Sequence, residues 1–428
     1  MRGTNISRRG AQRANHFERL ETRQLLSSTL QVGPTATYHT IQSAVNAAHK
    51  GDTVVVAPGT YVEQVVIPSG LSNLTIHSKN GSASTIIQAP AILTGSNAII
   101  YDSGANGLEV SGFTIEGPAN GISAGVLVNN ASNVEIENNQ IIHVHDAPMS
   151  GNESGYGIEV MGGGNASISD DSISDYQKNG ILITGAGSSA SIYNVVVTGD
   201  GPTAAITQNG VVFLSGATGS ISNSVVSKNQ TLLKAESGGI LAFNSGQVFI
   251  FDNLAYNNDG DIILDGPSRA TGSTNGNGND NDNGNDNGDY NSSDRNDHRD
   301  GNGDGKRNDD DDHDHRGFQA GSSVIGNETY GATFDGIALF DGATGATIAG
   351  NYSHNNGYDG LLIDGTSMGN QIDSNVFLHN DQSKAVAWDL EDDTAGQSNT
   401  IKGDGQTANF YDDNVFGTTN TGLRSDRH

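Results

Sequence analysis

Two short patterns of hydrophobic and polar residues alternate along most of this chain. In one, Gly is followed by apolar residues at every second position: GVLV at Gly125, GIEV at Gly157, GILI at Gly180, GVVF at Gly210, GILA at Gly239, GIAL at Gly336 and GLLI at Gly360. In the other, alternation ends in an Asn, Asp or Ser corner: VEIENNQI from Val134, ASISDDSI from Ala166, GSISNSVV from Gly219, VFIFDNLA from Val248, ATIAGNYS from Ala346 and NQIDSNVF from Asn370. The pair recurs roughly every 23–32 residues. Alternation at period two, closed by Gly or Asn, predicts short strands. So short a unit cannot bury its own apolar face and must stack on its neighbours, so the pattern predicts a solenoid.

The stretch ahead of the repeats has a different period. Ile41, Ala44, Val45 and Ala48 make one apolar stripe at helical spacing, Thr40 stands at the N-cap position, and Gly51 follows as a stop. An amphipathic helix here would cover the open end of a solenoid, where strand edges and core are exposed. Val54 to Val56 then begins the first coil.

The Asn-rich corners have a structural reason. Asn138–Asn139, Asp170–Asp171, Asn194, Asn223, Asp252–Asn253 and Asn375 follow the apolar residues Ile136, Ile168, Ile192, Ile221, Ile250 and Ile372. Asn tolerates the left-handed backbone of a sharp corner, and stacked amides can bond as a ladder. Metal or sugar ligation by this column is the competing reading.

These repeats resemble the right-handed β-helix proteins of the pectin-lyase-like kind, over about Tyr38 to Asp413 apart from one insert. The resemblance implies a right hand and a three-sided section. The expected fold is all-β: a right-handed, single-stranded parallel β-helix with an N-terminal capping helix. The expected organisation is a basic export segment over 1–32, the β-helix over 33–413, an acidic insert over 271–317 within it, and a flexible tail over 414–428. Gly59-Thr60-Tyr61-Val62-Glu63 is similar to the first coil of pectinesterases, an element that carries none of their catalytic residues.

Composition narrows the function. With 58 Gly, no Cys and 34% hydrophobic residues, the core must be thin and the turns many. A net charge of −28 opposes nucleic-acid phosphates. No run is long and apolar enough for a membrane span. The N-terminus is basic, with Arg2, Arg8, Arg9, Arg13, Arg19 and Arg23, but has no apolar signal-peptide core. Its LETRQLLS from Leu20 resembles the LEPR-x-LL segment of bacterial exported and surface proteins, with Thr22 in place of Pro, which implies an extracellular or cell-surface location. A disordered basic arm is the alternative.

The insert, TGSTNGNGNDNDNGNDNGDYNSSDRNDHRDGNGDGKRNDDDDHDHR from Thr271, cannot hold a core. Within it Asp300, Asn302, Asp304, Gly305, Asn308 and Asp311 fall on the spacing of a calcium loop and resemble a dockerin loop. Ca2+ is the cofactor expected. The helix that follows a dockerin loop is absent, and so acidic a tract also matches by chance.

Uronate chemistry has little to work with. No Arg lies between Gln24 and Ser268 or between Gly317 and Leu423, and Arg is the residue whose planar fork grips carboxylates. The signature segments of pectinesterases and galacturonases are missing. A lysine-based lyase could use Lys178, Lys228 or Lys384. His143, His145 and Asp146 in HVHD are the best local metal candidate, since i and i+2 share a strand face. Asp265, Asp341 and Asp364 read as turn formers, with Asp389 further on.

Two columns should run along the solenoid. Outward positions of the GIxI strand, Glu109, Leu127, Glu159, Leu182, Val212, Leu241, Ala338, Leu362 and Ala387, form an apolar stripe expected to be covered by another segment or by self-association. Past the Asn/Ser corners come His143, Tyr176, Lys228, Tyr256, His354 and His379, spaced to stack about 5 Å apart and to face a glycan. The alternative is a row of half-exposed corner side chains. The sequence therefore predicts an exported or surface β-helix that binds or modifies polysaccharide. A non-catalytic scaffold or adhesin with a calcium-binding loop is the competing reading, and ligand and catalysis stay open.

Overall fold

The computed structural model describes residues 27–266, 290–291, 321–364, 366–380, 382, 390–392, 410–412 and 415–416. Three parallel sheets, of 13, 12 and 11 strands, run the length of the chain. Every third strand returns to the same sheet, so the backbone winds as a three-sided β-solenoid. Strands begin at Thr29 and reach Phe416, slightly past both limits expected from sequence. Sheet A carries the Asn-corner strands such as Val134–Glu137. Sheet B follows each of these with strands such as Gln140–Val144. Sheet C holds the GIxI strands such as Asn179–Thr184. The stack resumes in register across the insert, Ile250 pairing with Val324 and Ile262 with Ile337.

The first coil is β1 (Thr29–Val32), α1 (Ile41–Ala47), β2 (Thr53–Val56), β3 (Gly59–Val62) and β4 (Val65–Pro68). α1 buries Ile41, Ala44 and Val45, and the Thr40 hydroxyl accepts from the Ser43 N–H. The Glu63 carboxylate takes the free N–H groups of Ile41 and Gln42, each at 2.8 Å. β4 is the end strand of sheet C. There the Gln42 side chain bonds both backbone groups of Val66, at 2.6 and 3.2 Å, where another strand would otherwise pair.

Inward residues of all three sheets form one continuous core along the axis, including Ile136, Ile168, Ile192, Ile221 and Ile250 in one file. The corner after sheet A divides its work between two residues. The first, Asn138, Asp170, Asn194, Asn223 or Asp252, takes φ of 51 to 57°. The second turns inward and builds a buried ladder: Asn253 donates to Asn327 at 3.0 Å, Asn327 to Asn351 at 3.0 Å, and Asn351 to Asn375 at 2.9 Å. The ladder is structural, because each amide is also spent on backbone groups of adjacent coils, as Asn351 is on Val324 O and Asn327 N–H.

The outer stripe of sheet C is buried within the single chain. Leu127, Leu182, Val212, Leu241 and Ala338 are 1–5% exposed. A second copy is not needed to cover them. One residue assigned to the stripe belongs elsewhere. Glu109 lies in sheet A, paired with Glu135, and the stripe position of that coil is Tyr101. Leu362 pairs with Glu391, while Ala387 lies outside the described residues. Ile263, which the Gly pattern passes over, also belongs to the stripe.

Candidate functional site

The six glycan-column residues fall into three places at the end of sheet B. Register aligns Ser174, Thr198, Ser227, Tyr256, Tyr330 and His354 in one outward file. One residue further on, His143, Lys228 and His379 occupy the corner itself, with φ of 57, 61 and 59°. Tyr176 pairs with Val144 and points inward, fully buried, its hydroxyl donating to Asn229 Oδ1. Burial and the nearby Asp200 carboxylate push that phenol well above its ordinary pKa. Tyr176 is therefore a core residue and cannot face a ligand. The error has one cause: the corner residue breaks the period-two alternation, so a count from the preceding Asn loses the face by one position.

Tyr256 and His354 do share a file, with Tyr330 between them. The Tyr256 and Tyr330 rings stack at 5.1 Å and 8°, and the Tyr330 and His354 rings at 5.4 Å and 17°. Tyr352, two residues before His354 on the same outer face, lies against the imidazole at 4.1 Å. Parallel strands set the spacing, since a rung of about 4.8 Å is close to the thickness of a stacked ring pair. His354 is oriented from both sides. The Asn355 amide lies 2.6 Å from Nδ1, and Glu328 Oε1 lies 3.1 Å from Nε2. Tyr330 escapes the sequence count because its corner, Gly326–Asn327, is not among those counted, and Tyr352 because it stands only one residue past Asn351.

Tyr256 stands at a step in this file. One ring face lies on Tyr330, and the other looks towards the Ser227 rung, where no ring covers it among the described residues. Ser227, Thr198 and Ser174 continue the file as small hydroxyl side chains, Ser227 buried and the other two half-buried. Tyr352 is 39% exposed, and Lys228 is exposed at the neighbouring corner.

A second constellation lies on the same edge, among the coils that carry Ser174. His143 Nδ1 contacts Asp175 Oδ2, and His145 Nε2 is 3.6 Å from the same oxygen. Asp146, the acid expected to complete the HVHD motif, is engaged elsewhere. It accepts from the Gly121 N–H at 2.6 Å, from Asn152 Nδ2 at 2.8 Å and from the Ser150 hydroxyl. Burial alone would raise its pKa, but these bonds together hold it below the usual carboxylate range. Asp175, from the next coil, takes the place expected of Asp146.

The lysines offered for lyase chemistry are not gathered into a site. Lys178 is fully buried, its Nζ 2.5 Å from Glu153 Oε2. Lys228 stands at an exposed corner, and Lys384 lies outside the described residues, as do Asp300, Asn302, Asp304, Asn308 and Asp311 of the calcium loop.

Comparison with known proteins agrees with the architecture. Residues 156–289 match the family model described as a right handed beta helix region. No curated protein matches the sequence. Among solved structures, the Agl-KA catalytic domain aligns with a TM-score of 0.52 at 12% identity, over 88% of this chain and 61% of that one. An alginate lyase from Paenibacillus sp. str. FPU-7 aligns at 0.48 and 15%, over 79% and 99%. The Azotobacter vinelandii mannuronan C-5 epimerase AlgE4 A-module aligns at 0.45 and 14%, over 88% and 90%. At such identities the likeness is one of fold.

Proposed function

We propose that this chain is an exported or cell-surface β-helix that binds a neutral polysaccharide along the outer edge of sheet B. The observation that carries the reading is the Tyr256–Tyr330–His354 stack, with Tyr352 beside it. The rings lie outside the inward-facing core, on an outer face of the solenoid. Sugars offer C–H faces and hydroxyls, which the uncovered Tyr256 face and the polar edges of Tyr330, Tyr352 and His354 match. Glu328 beside the stack, the net charge of −28 and the absence of Arg from residues 25–268 and 317–423 all disfavour a polyanionic chain. The basic segment with LETRQLLS supports export. The acidic insert, through Asp300 to Asp311, supports a calcium-dependent role separate from the stack.

The test is affinity electrophoresis of the full chain in gels containing glucan, mannan, alginate or polygalacturonate, with and without Ca2+. Retardation by a neutral polymer that Tyr256→Ala weakens about tenfold supports the reading, as loss of ~1 kcal/mol or more for its uncovered ring face predicts. Retardation by alginate alone, or none by any polymer, favours a scaffold instead.

A further inference from the structure

We infer that His143, His145 and Asp175 bind a divalent transition-metal ion of the zinc type, at the same edge of the solenoid as the aromatic stack but independently of it. The nitrogen and oxygen atoms these residues offer all lie within 4.8 Å of one another. Two ligands each about 2.1 Å from a tetrahedral ion are about 3.4 Å apart, close to the 3.6 Å separating His145 Nε2 from Asp175 Oδ2. Small rotations of these half-buried side chains would part the His143 Nδ1–Asp175 Oδ2 contact enough to admit the ion.

The backbone brings the three together. Val144 points into the core, so His143 and His145 flank it on the outside. Asp175 immediately precedes Tyr176, the register partner of Val144, and so stands over His143. Both His143 and Asp175 take the left-handed corner conformation, with φ of 57 and 52°.

The second layer is also in place. His145 Nδ1 lies 2.5 Å from the Asp146 carbonyl oxygen, which accepts its proton and leaves Nε2 as a lone pair turned towards Asp175. Asp200 stands within electrostatic reach of all three, adding negative field where a cation would sit. The side chains are 43%, 17% and 34% exposed, so the ion could enter and would keep open positions for water or a ligand. Two imidazoles and one carboxylate select a borderline ion over Ca2+, which wants oxygen alone.

The test is Zn2+ titration of the full chain against a chromophoric chelator, with His145→Ala and Asp175→Asn beside the wild type. Circular dichroism in metal-free buffer first establishes that the variants fold. Histidines of the insert, His298, His313 and His315, can also take zinc, but they are common to all three proteins. The wild type should bind one Zn2+ more than His145→Ala, and Asp175→Asn should bind that ion at least about tenfold more weakly. X-ray absorption of the zinc-loaded wild type should lose imidazole scattering in His145→Ala. A millimolar excess of Ca2+ should not displace the ion. Equal stoichiometry and affinity in wild type and both variants would overturn the site. So would unchanged imidazole scattering in folded His145→Ala; if that variant misfolds, the affinity of Asp175→Asn decides the case.

Discussion

Tyr256 and Tyr330 are 74 residues apart in sequence, yet their rings lie 5.1 Å apart and within 8° of parallel. The insert separates them in the chain, and strand register reunites them, Leu254 pairing with Glu328 and Tyr256 with Tyr330. A double-mutant cycle of Tyr256→Ala and Tyr330→Ala, read by urea denaturation, should give a coupling of about 1 kcal/mol. Strict additivity would mean that the rings do not touch in solution.

The Asn ladder should be the costliest polar feature to break. Asn351 accepts from the Asn327 backbone and amide and donates to Val324 O and Asn375 Oδ1. Asn351→Ala orphans these buried groups and should cost roughly 3 kcal/mol or more. Asn351→Ser should cost less, since Ser224 accepts the Val195 N–H at the same corner of another coil. Denaturation midpoints check the order.

A glycine file precedes the inward residues of sheet C, and it is steric in origin. A Cβ on Gly210 would lie 2.3 Å from Val226 Cγ1 and 2.4 Å from Gly239 O. Gly210→Ala should therefore destabilise by roughly 2–4 kcal/mol, as overpacking against backbone does. Gly70→Ala meets nothing within 4 Å and should be neutral or slightly stabilising. Melting temperatures of the two variants separate the explanations, since a general intolerance of Ala would lower both.

These files also explain what the sequence reveals and what it hides. Period-two alternation and its recurrence are properties of single strands, so the solenoid, the core residues and the resumption near Val324 are all legible. Asp261 stands in register with Gly239 and Gly336, so the strand Gly260–Asp265 escapes a pattern that begins with Gly. Face assignment past a corner fails because His143, Lys228 and His379 each use one left-handed residue that resets the alternation. Tyr176 was lost to the core that way, and the pairing of Asp175 with His143 is invisible because it joins different coils. The candidate site is thus half legible: residue types and edge can be read, partners cannot.

Glu159 is a buried acid in the stripe of sheet C, between Leu127 and Leu182, and burial pushes its pKa to about 7. The folded chain then holds this proton more tightly than the unfolded chain. Its contribution is fully favourable below the unfolded value of 4.5 and is lost as pH rises through about 7. Glu159→Gln should stabilise the protein by about 3 kcal/mol more at pH 8 than at pH 4.5. A pH-independent difference would show that Glu159 is solvated.

Whether the glycan-facing file exists as described can be measured without any glycan. The chain has no Cys, so introduced pairs report cleanly. Register neighbours in parallel strands lie about 4.8 Å apart, within disulfide reach, whereas residues two rungs apart do not. Under mild oxidation, Tyr256→Cys with Tyr330→Cys should cross-link across the insert, and Tyr256→Cys with His354→Cys should stay reduced. Cross-linking of the second pair in preference to the first would remove Tyr330 from between them and contradict the account.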